Sequence, residues 1–425
     1  MTDEVAHRPD FQAPLVSGLL WRALAHLVRS GNLKVRDCDG EVREFGDKTG
    51  KPIGVHLRDA KTQRALVVDP QLALAEAYMD GGLRIEAGGI YDLLALFARN
   101  LNETDLPFWM RIKDRFRLFT RLARQMNGLG QARRNVRRHY DLPGSLYDLF
   151  LDKDKQYSCA YFPTGTETLD EAQLGKKRHI AAKLCLSPGQ RVLDIGCGWG
   201  GLSLYLAREA GAKVLGITLS EQQERHAKAR AEAEGVENVS YELRDYRKVA
   251  GKFDRIVSVG MFEHVGLPNY KTFFRKINEC LTGNGIALLH TIGRLCGPGA
   301  TNPFIARYIF PGGYSPALSE IVPAIEKSGL LITDIEVLRL HYAETLAAWR
   351  RNFEAAWEQA ADLLSERFCR MWQFYLAGCE AAFRHQNIAV FQIQLAKHID
   401  AVPWTRDYLY AYERGASAKP ASDLT

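Results

Sequence analysis

The chain lacks the cysteine patterns of a disulfide framework or a zinc site. Its 425 residues include eight cysteines, and no two of them stand in C-x-x-C spacing. No signal-peptide pattern opens the sequence, and no run approaches the roughly 18 apolar residues of a membrane-spanning helix. We therefore expect a protein of the reducing cytoplasm without a bound metal ion. At this length, two domains are expected.

An acidic residue is missing where a nicotinamide-binding site needs one. The apolar run Val-Leu-Asp-Ile-Gly-Cys-Gly-Trp-Gly (192–200) ends in glycines, and a helical pattern follows at once. Such a turn allows positive φ and lets a nucleotide-like ligand lie against a helix N-terminus. Three glycines match the G-x-G-x-x-G spacing of dinucleotide sites: Gly196, Gly198 and Gly201. However, the second predicted strand, 213–218, ends in hydroxyl residues instead of Asp or Glu, which disfavours an NAD enzyme.

Residues 192–200 instead resemble motif I of class I S-adenosylmethionine-dependent methyltransferases. In that motif the acidic residue two positions before the first glycine, here Asp194, lies close to the methionine end of the cofactor. A strand-to-helix turn without any ligand is the structural alternative.

Strand and helix patterns alternate through the C-terminal part of the chain, which predicts a parallel sheet. The seven predicted strands are 191–195, 213–218, 239–243, 253–259, 286–292, 331–337 and 390–395. Helices are predicted at 221–234 and 268–282. The fold class is therefore α/β, a Rossmann-like seven-stranded class I methyltransferase sheet with a smaller N-terminal α+β domain.

The N-terminal part carries no catalytic constellation. It has an amphipathic segment at 19–28, β-like runs at 31–36 and 54–57, and helical patterns at 70–79 and 90–97. By itself it indicates only an interaction or accessory module. We expect an accessory domain at 1–110, a basic linker or membrane-docking stretch at 111–138, and a methyltransferase domain at 139–425.

Basic charge is concentrated in residues 111–138. Ten Arg and Lys residues stand there with a single acid, Asp114, so the stretch carries +9 while the whole chain carries +6. Apolar residues alternate with the charges, which suits a helix lying on an anionic membrane surface. Nucleic acid is the competing anionic partner, and a solvated linker is the structural alternative.

The fourth predicted strand is followed by Gly-Met-Phe-Glu-His-Val (260–265). Amino-N methyltransferases acting on nucleic-acid bases carry an Asn/Asp-Pro-Pro-aromatic motif at this place. A base-methylating role is therefore disfavoured, and we expect no nucleic-acid partner.

Taken together, the motifs resemble the cyclopropane-fatty-acyl-phospholipid synthase family, which includes the mycolic acid cyclopropane synthases. The resemblance covers about residues 135–400, with Gln-Tyr-Ser-Cys-Ala-Tyr-Phe (156–162), Leu-His-Thr-Ile-Gly (289–293) and Tyr-Ile-Phe-Pro-Gly-Gly (308–313) beside the motifs above. Glu-Ala-Tyr-Met-Asp-Gly (76–81) resembles the extra domain of the bacterial phospholipid enzymes.

The resemblance implies methyl(ene) transfer from S-adenosylmethionine to the cis double bond of an unsaturated phospholipid acyl chain. A carboxylate and aromatic faces would stabilise the resulting carbocation, and a bound bicarbonate ion would be the base. The residues that match the bicarbonate site are Cys159 and Ile292 through backbone amides, with Glu263, His290 and Tyr342. Cys379 matches a cysteine proposed as catalytic in the family, although alkene methylation needs no thiol and packing is the ordinary role.

The resemblance also implies a set of cofactor-binding residues. They are Tyr157 and Ser158 over the cofactor, Asp194, Gly196, Gly198 and Gly200 beneath it, Thr218 and Gln223 beyond the second strand, and Tyr246 and Arg247 around the adenine. We expect peripheral association with the inner membrane face and leave a homodimer open. The alternatives are methyl or methylene branching within the family, an RNA methyltransferase using the basic stretch, and a lipid-binding pseudo-enzyme.

Overall fold

The computed structural model describes residues 13–103, 117–119, 125 and 142–414, so most of the predicted basic stretch 111–138 lies outside the described residues. The chain divides into two compact units. The first comprises 1–115, 302–304 and 361–386, and the second comprises 116–301, 305–360 and 387–425. Among the described residues, no helix combines the length and apolarity needed to cross a membrane.

The first unit contains helices α1 (Ala13–Leu27), α2 (Ala60–Val68), α3 (Pro70–Asp80), α4 (Ile90–Glu103) and α13 (Glu366–His385), with strands β1 (Leu33–Arg36), β2 (Val42–Phe45), β3 (Ile53–Leu57) and β4 (Leu83–Ala87). Helix α12 (Trp357–Leu363) spans the boundary in the chain between the units.

The second unit contains helices α5 (Gly144–Asp148), α6 (Leu169–Lys183), α7 (Gly201–Glu209), α8 (Glu221–Ala233), α9 (Tyr270–Cys280), α10 (Leu318–Glu326), α11 (His341–Ala355) and α14 (Asp407–Glu413). Its strands are β5 (Arg191–Ile195), β6 (Lys213–Thr218), β7 (Val239–Leu243), β8 (Phe253–Val259), β9 (Leu281–Arg294), β10 (Leu331–Leu338) and β11 (Ile388–Ala396).

The strands of the second unit form one sheet in the order β10-β11-β9-β8-β5-β6-β7. Strand β11 runs antiparallel to both neighbours, and the pairs from β9 through β7 are parallel. The predicted α/β fold class with its seven strands is confirmed. Strand β9 extends beyond the predicted 286–292 at both ends; it is hydrogen-bonded to β8 on one side and β11 on the other.

Side chains on both faces of this sheet are buried, as a largely parallel sheet requires. In β5, Leu193 and Ile195 belong to a cluster with Phe273 and Phe274 of α9. Val192 points the opposite way and packs in a cluster with residues of α6 and α7. The alternation of β5 therefore places helices on both faces.

The sheet changes direction of winding at β5. Strand β6 follows β5 on one side, whereas β8 lies on the other. In such sheets, ligands bind in the crevice outside the carboxyl ends of the two strands at the switch point. The loops after β5 and β8 are thus the place to look for a site.

In the first unit the four strands form the sheet β2-β1-β3-β4. Helix α13 belongs to this unit although it lies far along the chain: the Tyr78 hydroxyl and Gln373 Oε1 are 2.5 Å apart, 295 residues away in sequence. Arg367 also pairs with Asp80 at 2.7 Å. The sequence analysis assigned α13 to the segment 139–425. A boundary drawn at one point of the chain cannot capture a helix whose partners are α3 and α4.

Candidate active site

A cleft of about 1200 Å³, including the part open to solvent, lies at the carboxyl ends of β5, β6, β7 and β8. Nine of the ten residues predicted to bind the cofactor line it: Tyr157, Ser158, Asp194, Gly196, Gly198, Thr218, Gln223, Tyr246 and Arg247. The tenth, Gly200, does not. Within the described ranges, no three His, Cys, Asp or Glu side chains are grouped as ligands for a metal ion.

The turn after β5 forms the floor of this cleft. Gly196 and Gly200 have φ of 86° and 87°, values that favour glycine. A Cβ at Gly196 would lie 2.8 Å from Met261 Cβ, whereas a Cβ at Gly198 would meet nothing within 4 Å. A Cβ at Gly200 would meet Ala227 Cβ at 2.7 Å, on the side of α8. Gly198 thus leaves open space in the cleft, while Gly200 packs against α8 and does not line the cleft.

Asp194 is the acid at the end of β5. It is 1% exposed, and its Oδ2 accepts a 2.7 Å hydrogen bond from the Ser203 hydroxyl of α7. Burial raises its pKa to about 6, against the opposing effects of Ser203 and the Lys176 ammonium. The carboxylate is therefore fixed in direction and held at the floor of the cleft.

The end of β6 carries hydroxyls that organise the next helix. Thr218 Oγ1 donates to Gln223 Oε1 at 2.8 Å. Ser220 caps α8 by accepting a hydrogen bond from the backbone N–H of Gln223. With its oxygen occupied, the Gln223 amide is oriented at the cleft wall. The same residues that argued against an NAD site thus shape this one.

After β7, an ion pair closes the far end of the cleft. Arg247 donates from Nε and Nη2 to the two Asp245 oxygens at 2.8 and 2.7 Å. Its guanidinium carbon lies 5.4 Å from the Tyr246 ring centroid. Asp245 was expected at this strand end without an individual role, and its carboxylate, 3% exposed, is what orients Arg247.

A second cluster lies at the ends of β8 and β9. Glu263 Oε1 accepts a 2.6 Å hydrogen bond from the Ile292 backbone N–H. Glu263 Oε2 is buried and has no hydrogen-bond partner within the described part of the chain. Burial raises the Glu263 pKa to about 7, opposed by the Ile292 hydrogen bond. The Ile292 amide, expected to bind bicarbonate directly, is occupied by Glu263 instead.

His290 precedes Ile292 by two residues on β9, so both side chains point to the same face. It is 2% exposed, and its Nδ1 lies 3.1 Å from the Gln392 amide nitrogen of β11. Burial, reinforced by nearby lysines, lowers its pKa well below the ordinary value. The imidazole is therefore neutral at physiological pH.

Cys159 lies in the 156–162 segment and Tyr342 lies on α11, and two hydrogen bonds join that segment to α11. The Ala160 backbone N–H donates to Thr345 Oγ1 at 3.0 Å, and the Phe162 backbone N–H donates to His341 Nδ1 at 3.0 Å. Burial raises the Cys159 pKa far above its ordinary value, so the side chain stays a thiol. The backbone N–H of Cys159 is therefore the group that could donate a hydrogen bond to a ligand.

Aromatic rings connect Tyr342 with the cleft. The Tyr342 ring centroid lies 5.8 Å from that of Trp349, which in turn lies 5.2 Å from the ring of Tyr157. Tyr157 lines the cleft. Tyr342 and Trp349 of α11 thus form a chain of aromatic rings that reaches Tyr157 at the cleft.

Cys379 lies in the first unit, on α13, and does not line the cleft. Burial raises the pKa of its thiol to about 12, so it carries no nucleophilic thiolate at neutral pH. The structure thus places Cys379 in a different unit from every other residue of the predicted site.

Besides Asp245, four further residues of this region were given no individual role from the sequence. Trp199, Met261 and His264 line the cleft, and Lys176 contacts its rim. Trp199, Met261 and His264 stand inside motifs that the sequence did reveal. Lys176 had no such signal, because it lies in a mostly polar helix whose buried face shows no apolar period.

Glu263 provides a test by pH. A carboxyl group whose pKa is raised from 4.5 to about 7 by folding contributes stability that is complete below its unfolded pKa and lost as the pH rises through about 7. Relative to wild type, we expect Glu263→Gln to gain free energy of unfolding between about pH 5 and about pH 8, because only the wild type must carry the buried charge. Urea titrations without ligand measure this; a pH-independent difference would contradict it.

The fold and cleft together define a class I S-adenosylmethionine-dependent methyltransferase. A seven-stranded sheet with one antiparallel strand presents a glycine turn, a buried acid and strand-end hydroxyls at its switch point. The chain belongs to the mycolic acid cyclopropane synthetase family, whose model matches residues 128–393. A second model, described as a domain of unknown function, matches residues 20–104.

Individual relatives agree with this family. The cyclopropane-fatty-acyl-phospholipid synthase of Escherichia coli K12 is 38% identical over 351 residues, or 82% of this chain and 89% of that protein. The tuberculostearic acid methyltransferase UfaA1 of Mycobacterium tuberculosis is 33% identical over 412 residues, 91% of each chain. The structure of mycolic acid cyclopropane synthase CmaA1 complexed with SAH (S-adenosylhomocysteine) and CTAB has a TM-score of 0.59 at 34% identity, over 62% of this chain and 97% of that one. S-adenosylmethionine is therefore the cofactor.

Proposed function

We propose that this enzyme converts the cis double bond of an unsaturated phospholipid acyl chain into a cyclopropane ring. The observation that carries the proposal is Glu263, a buried carboxylate with one unpartnered oxygen, next to the strand that bears neutral His290. The name of the Escherichia coli relative supports a phospholipid substrate.

The reaction asks for charge stabilisation in a dry pocket. S-adenosylmethionine supplies a sulfonium-bound methyl group; the C–S bond breaks as a bond forms to one alkene carbon, and loss of a proton from the new methyl group closes the ring. After methyl transfer and before proton loss, the other alkene carbon carries a positive charge. The Glu263 carboxylate and the Tyr342 ring are suited to face that charge, because a buried carboxylate and a π face both attract cations strongly where water is excluded.

The residues at the ends of β8 and β9 are suited to bind bicarbonate. Glu263 Oε2 is a buried acceptor that lacks a donor within the described ranges, and a bicarbonate hydroxyl supplies one. Neutral His290 and the Cys159 backbone amide complete the expected set with Tyr342. When bound, bicarbonate supplies the base for the proton that leaves. The Ile292 backbone N–H contributes indirectly, because its 2.6 Å hydrogen bond to Glu263 Oε1 orients the carboxylate.

The bicarbonate proposal predicts an effect of removing the dissolved ion. We expect turnover to fall several-fold in carbonate-stripped, argon-purged buffer and to return on adding bicarbonate, since general-base catalysis commonly contributes about 10²-fold or more. His290→Ala should lower turnover while leaving the dissociation constant for S-adenosylhomocysteine unchanged. An unchanged wild-type rate in stripped buffer would contradict a bicarbonate base.

Vesicle assays test the proposed function. Label from methyl-labelled S-adenosylmethionine is expected to enter vesicles of unsaturated phospholipid and not vesicles of the same head group with saturated chains. Transfer to saturated vesicles, or to none, would contradict the proposal.

A second product has specific support. The UfaA1 relative, which covers 91% of this chain, is named a tuberculostearic acid methyltransferase and not a cyclopropane synthase. Methyl or methylene branching begins with the same transfer, but the cation then loses a different proton, so that a double bond forms in place of the ring. The product therefore has to be identified directly.

We also propose peripheral membrane association through the basic stretch 111–138. The described residues inside it include Leu118 and Phe119, which are 37% and 85% exposed. Exposed apolar side chains among Arg and Lys suit the boundary of an anionic bilayer. Gln125, also inside the stretch, is 5% exposed, and its Oε1 accepts a hydrogen bond from the Leu267 backbone N–H at 3.3 Å. The proposal therefore concerns the rest of the stretch, where the concentration of basic charge supports it.

Replacing Arg133, Arg134, Arg137 and Arg138 together with Gln tests this proposal. Each basic residue near the surface contributes about 1 kcal/mol, so binding to anionic vesicles should weaken strongly and the apparent KM for lipid should rise. Affinity for S-adenosylhomocysteine should stay unchanged. High salt should imitate the variant, because the Debye length falls from about 10 Å at 0.1 M to about 3 Å at 1 M.

A matched control removes four exposed basic residues elsewhere: Lys51, Arg58, Lys213 and Lys327. Co-sedimentation with anionic vesicles is the measurement. Equal loss of binding in both quadruple variants would show a general charge effect and contradict a docking stretch.

A further inference from the structure

Helix α6 presents three buried polar side chains to the segment that borders the cleft. Gln173, Lys176 and Lys177 stand at helical positions i, i+3 and i+4, so they share one face. Their exposed fractions are 0%, 0% and 8%. Buried amides and ammonium groups are costly unless they are hydrogen-bonded, so this face has a specific set of partners.

The hydrogen-bond and ion-pair partners of these three side chains are in residues 154–158, and Lys177 Nζ also lies 5.4 Å from the Tyr205 ring centroid. The Gln173 amide donates to the backbone carbonyl oxygens of Gln156 and Ser158, at 3.3 and 3.0 Å. Lys177 pairs with the Asp154 carboxylate at 2.6 Å. The α6 face therefore grips this segment through both its backbone and its side chains.

Lys176 makes the contacts nearest to the cofactor cleft. Its Nζ donates to Gln156 Oε1 at 2.7 Å and to the Ser158 hydroxyl at 2.8 Å. Gln156 and Ser158 line the cleft together with Tyr157, which stands between them. A single buried ammonium thus fixes the side chains on both sides of Tyr157.

The charge on Lys176 is balanced by its surroundings. Burial lowers its pKa to about 8, and the nearby Asp152 and Asp154 carboxylates oppose that shift. Asp152 itself holds the segment, because its Oδ1 accepts the Gln156 backbone N–H at 2.8 Å. At neutral pH the ammonium form is kept, with full strength as a charged donor.

We propose that Lys176 is a positioning residue that fixes the 156–158 segment over S-adenosylmethionine. It touches neither the reacting atoms nor, in this account, the acyl chain, and it acts through Ser158 and Gln156. The proposal deepens the proposed function, because it rests on the cleft being the S-adenosylmethionine site. Its loss should weaken cofactor binding and spare the chemistry once the cofactor is bound.

The test variant is Lys176→Met, which keeps the length of the side chain and removes the donors. We expect the dissociation constant for S-adenosylhomocysteine and the KM for S-adenosylmethionine to rise about tenfold, or about 1.4 kcal/mol. The kcat should stay within about twofold. A purely structural role would lower the active fraction, and with it kcat, without raising KM.

Lys183→Met is the matched control. Lys183 is the other fully buried lysine of α6, also 0% exposed, but it contacts Glu336 and Asp334, away from the 156–158 segment. We expect this variant to lose thermal stability and to keep wild-type affinity for S-adenosylhomocysteine. Equal affinity losses in the two variants would overturn the proposal.

A double-mutant cycle with Ser158→Ala tests whether Lys176 acts through Ser158. We expect the combined variant to bind S-adenosylhomocysteine about as weakly as Lys176→Met alone, because contacting residues couple. If the losses of affinity in the two single variants added fully in the double variant, Lys176 would not act through Ser158. If Lys176→Met does not fold, Ser158→Ala and Gln156→Leu remove the two acceptors from the other side, and wild-type affinity in both would overturn the proposal.

Calorimetry with S-adenosylhomocysteine needs no lipid. Failure of wild-type binding would count against the cofactor cleft itself, whereas wild-type binding with an unaffected Lys176→Met variant would count against Lys176 alone.

Discussion

Glu263→Gln is expected to bind S-adenosylhomocysteine with wild-type affinity and to lose about 10²–10³-fold in turnover, the usual cost of removing a preorganised electrostatic group. Gln has nearly the shape of Glu, so the hydrogen bond from the Ile292 backbone N–H can persist. What disappears is the negative charge that faces the cation. The unpartnered Oε2 also loses its capacity to accept from bicarbonate if an N–H takes its place.

The matched control for this variant is Glu380→Gln. Glu380 is 3% exposed, compared with 8% for Glu263, and lies on α13 in the first unit, where it pairs with Arg384 at 3.7 Å. We expect turnover to survive there. Near-wild-type turnover in Glu263→Gln, or equal losses in both variants, would contradict the assigned role of Glu263.

The second large effect is expected for Gly196→Ala. The substitution adds a Cβ at φ 86°, where it would lie 2.8 Å from Met261 Cβ. Left-handed backbone costs an L-residue about 1–2 kcal/mol, and crowding in a packed site adds about 1–3 kcal/mol. The turn must therefore shift, and affinity for S-adenosylhomocysteine should fall by about tenfold to a hundredfold.

Gly165→Ala separates backbone strain from crowding. Gly165 has almost the same φ, 85°, yet a Cβ there would meet nothing within 4 Å. We expect a modest loss of stability and unchanged cofactor affinity. Calorimetry on both variants is the measurement, and equal affinity in Gly196→Ala and wild type would show that the turn does not hold the cofactor.

The sequence predicted those parts of the fold where local pattern and tertiary environment agree. Strand β5 was placed correctly at 191–195 because its apolar run stops at Gly196. Strands β2 and β4 were missed, since each is short and mostly solvent-facing, with one fully buried residue apiece. Such strands exist through pairing with β1 and β3, which no local pattern contains.

The site shows the same division. Motif residues such as Asp194 and Thr218 lie on the cleft because the carboxyl ends of adjacent parallel strands meet at one edge. Gly200 and Ile292 have other partners than expected, since the packing of α8 and the approach of Glu263 depend on tertiary structure. The role of Lys176 could not be predicted for a related reason, because a buried lysine is recognised only from its partners in the folded structure.

Formation of a cyclopropane ring is tested with S-adenosylmethionine that carries a trideuterated methyl group. Purified enzyme is incubated with vesicles of a monounsaturated phospholipid, and the released fatty acids are analysed by mass spectrometry and NMR. Ring closure requires loss of one hydrogen from the transferred methyl group, so the account predicts a cyclopropane fatty acid that retains two deuterium atoms and has no double bond. A branched acid that retains all three, or a product that keeps an exocyclic methylene, would contradict it.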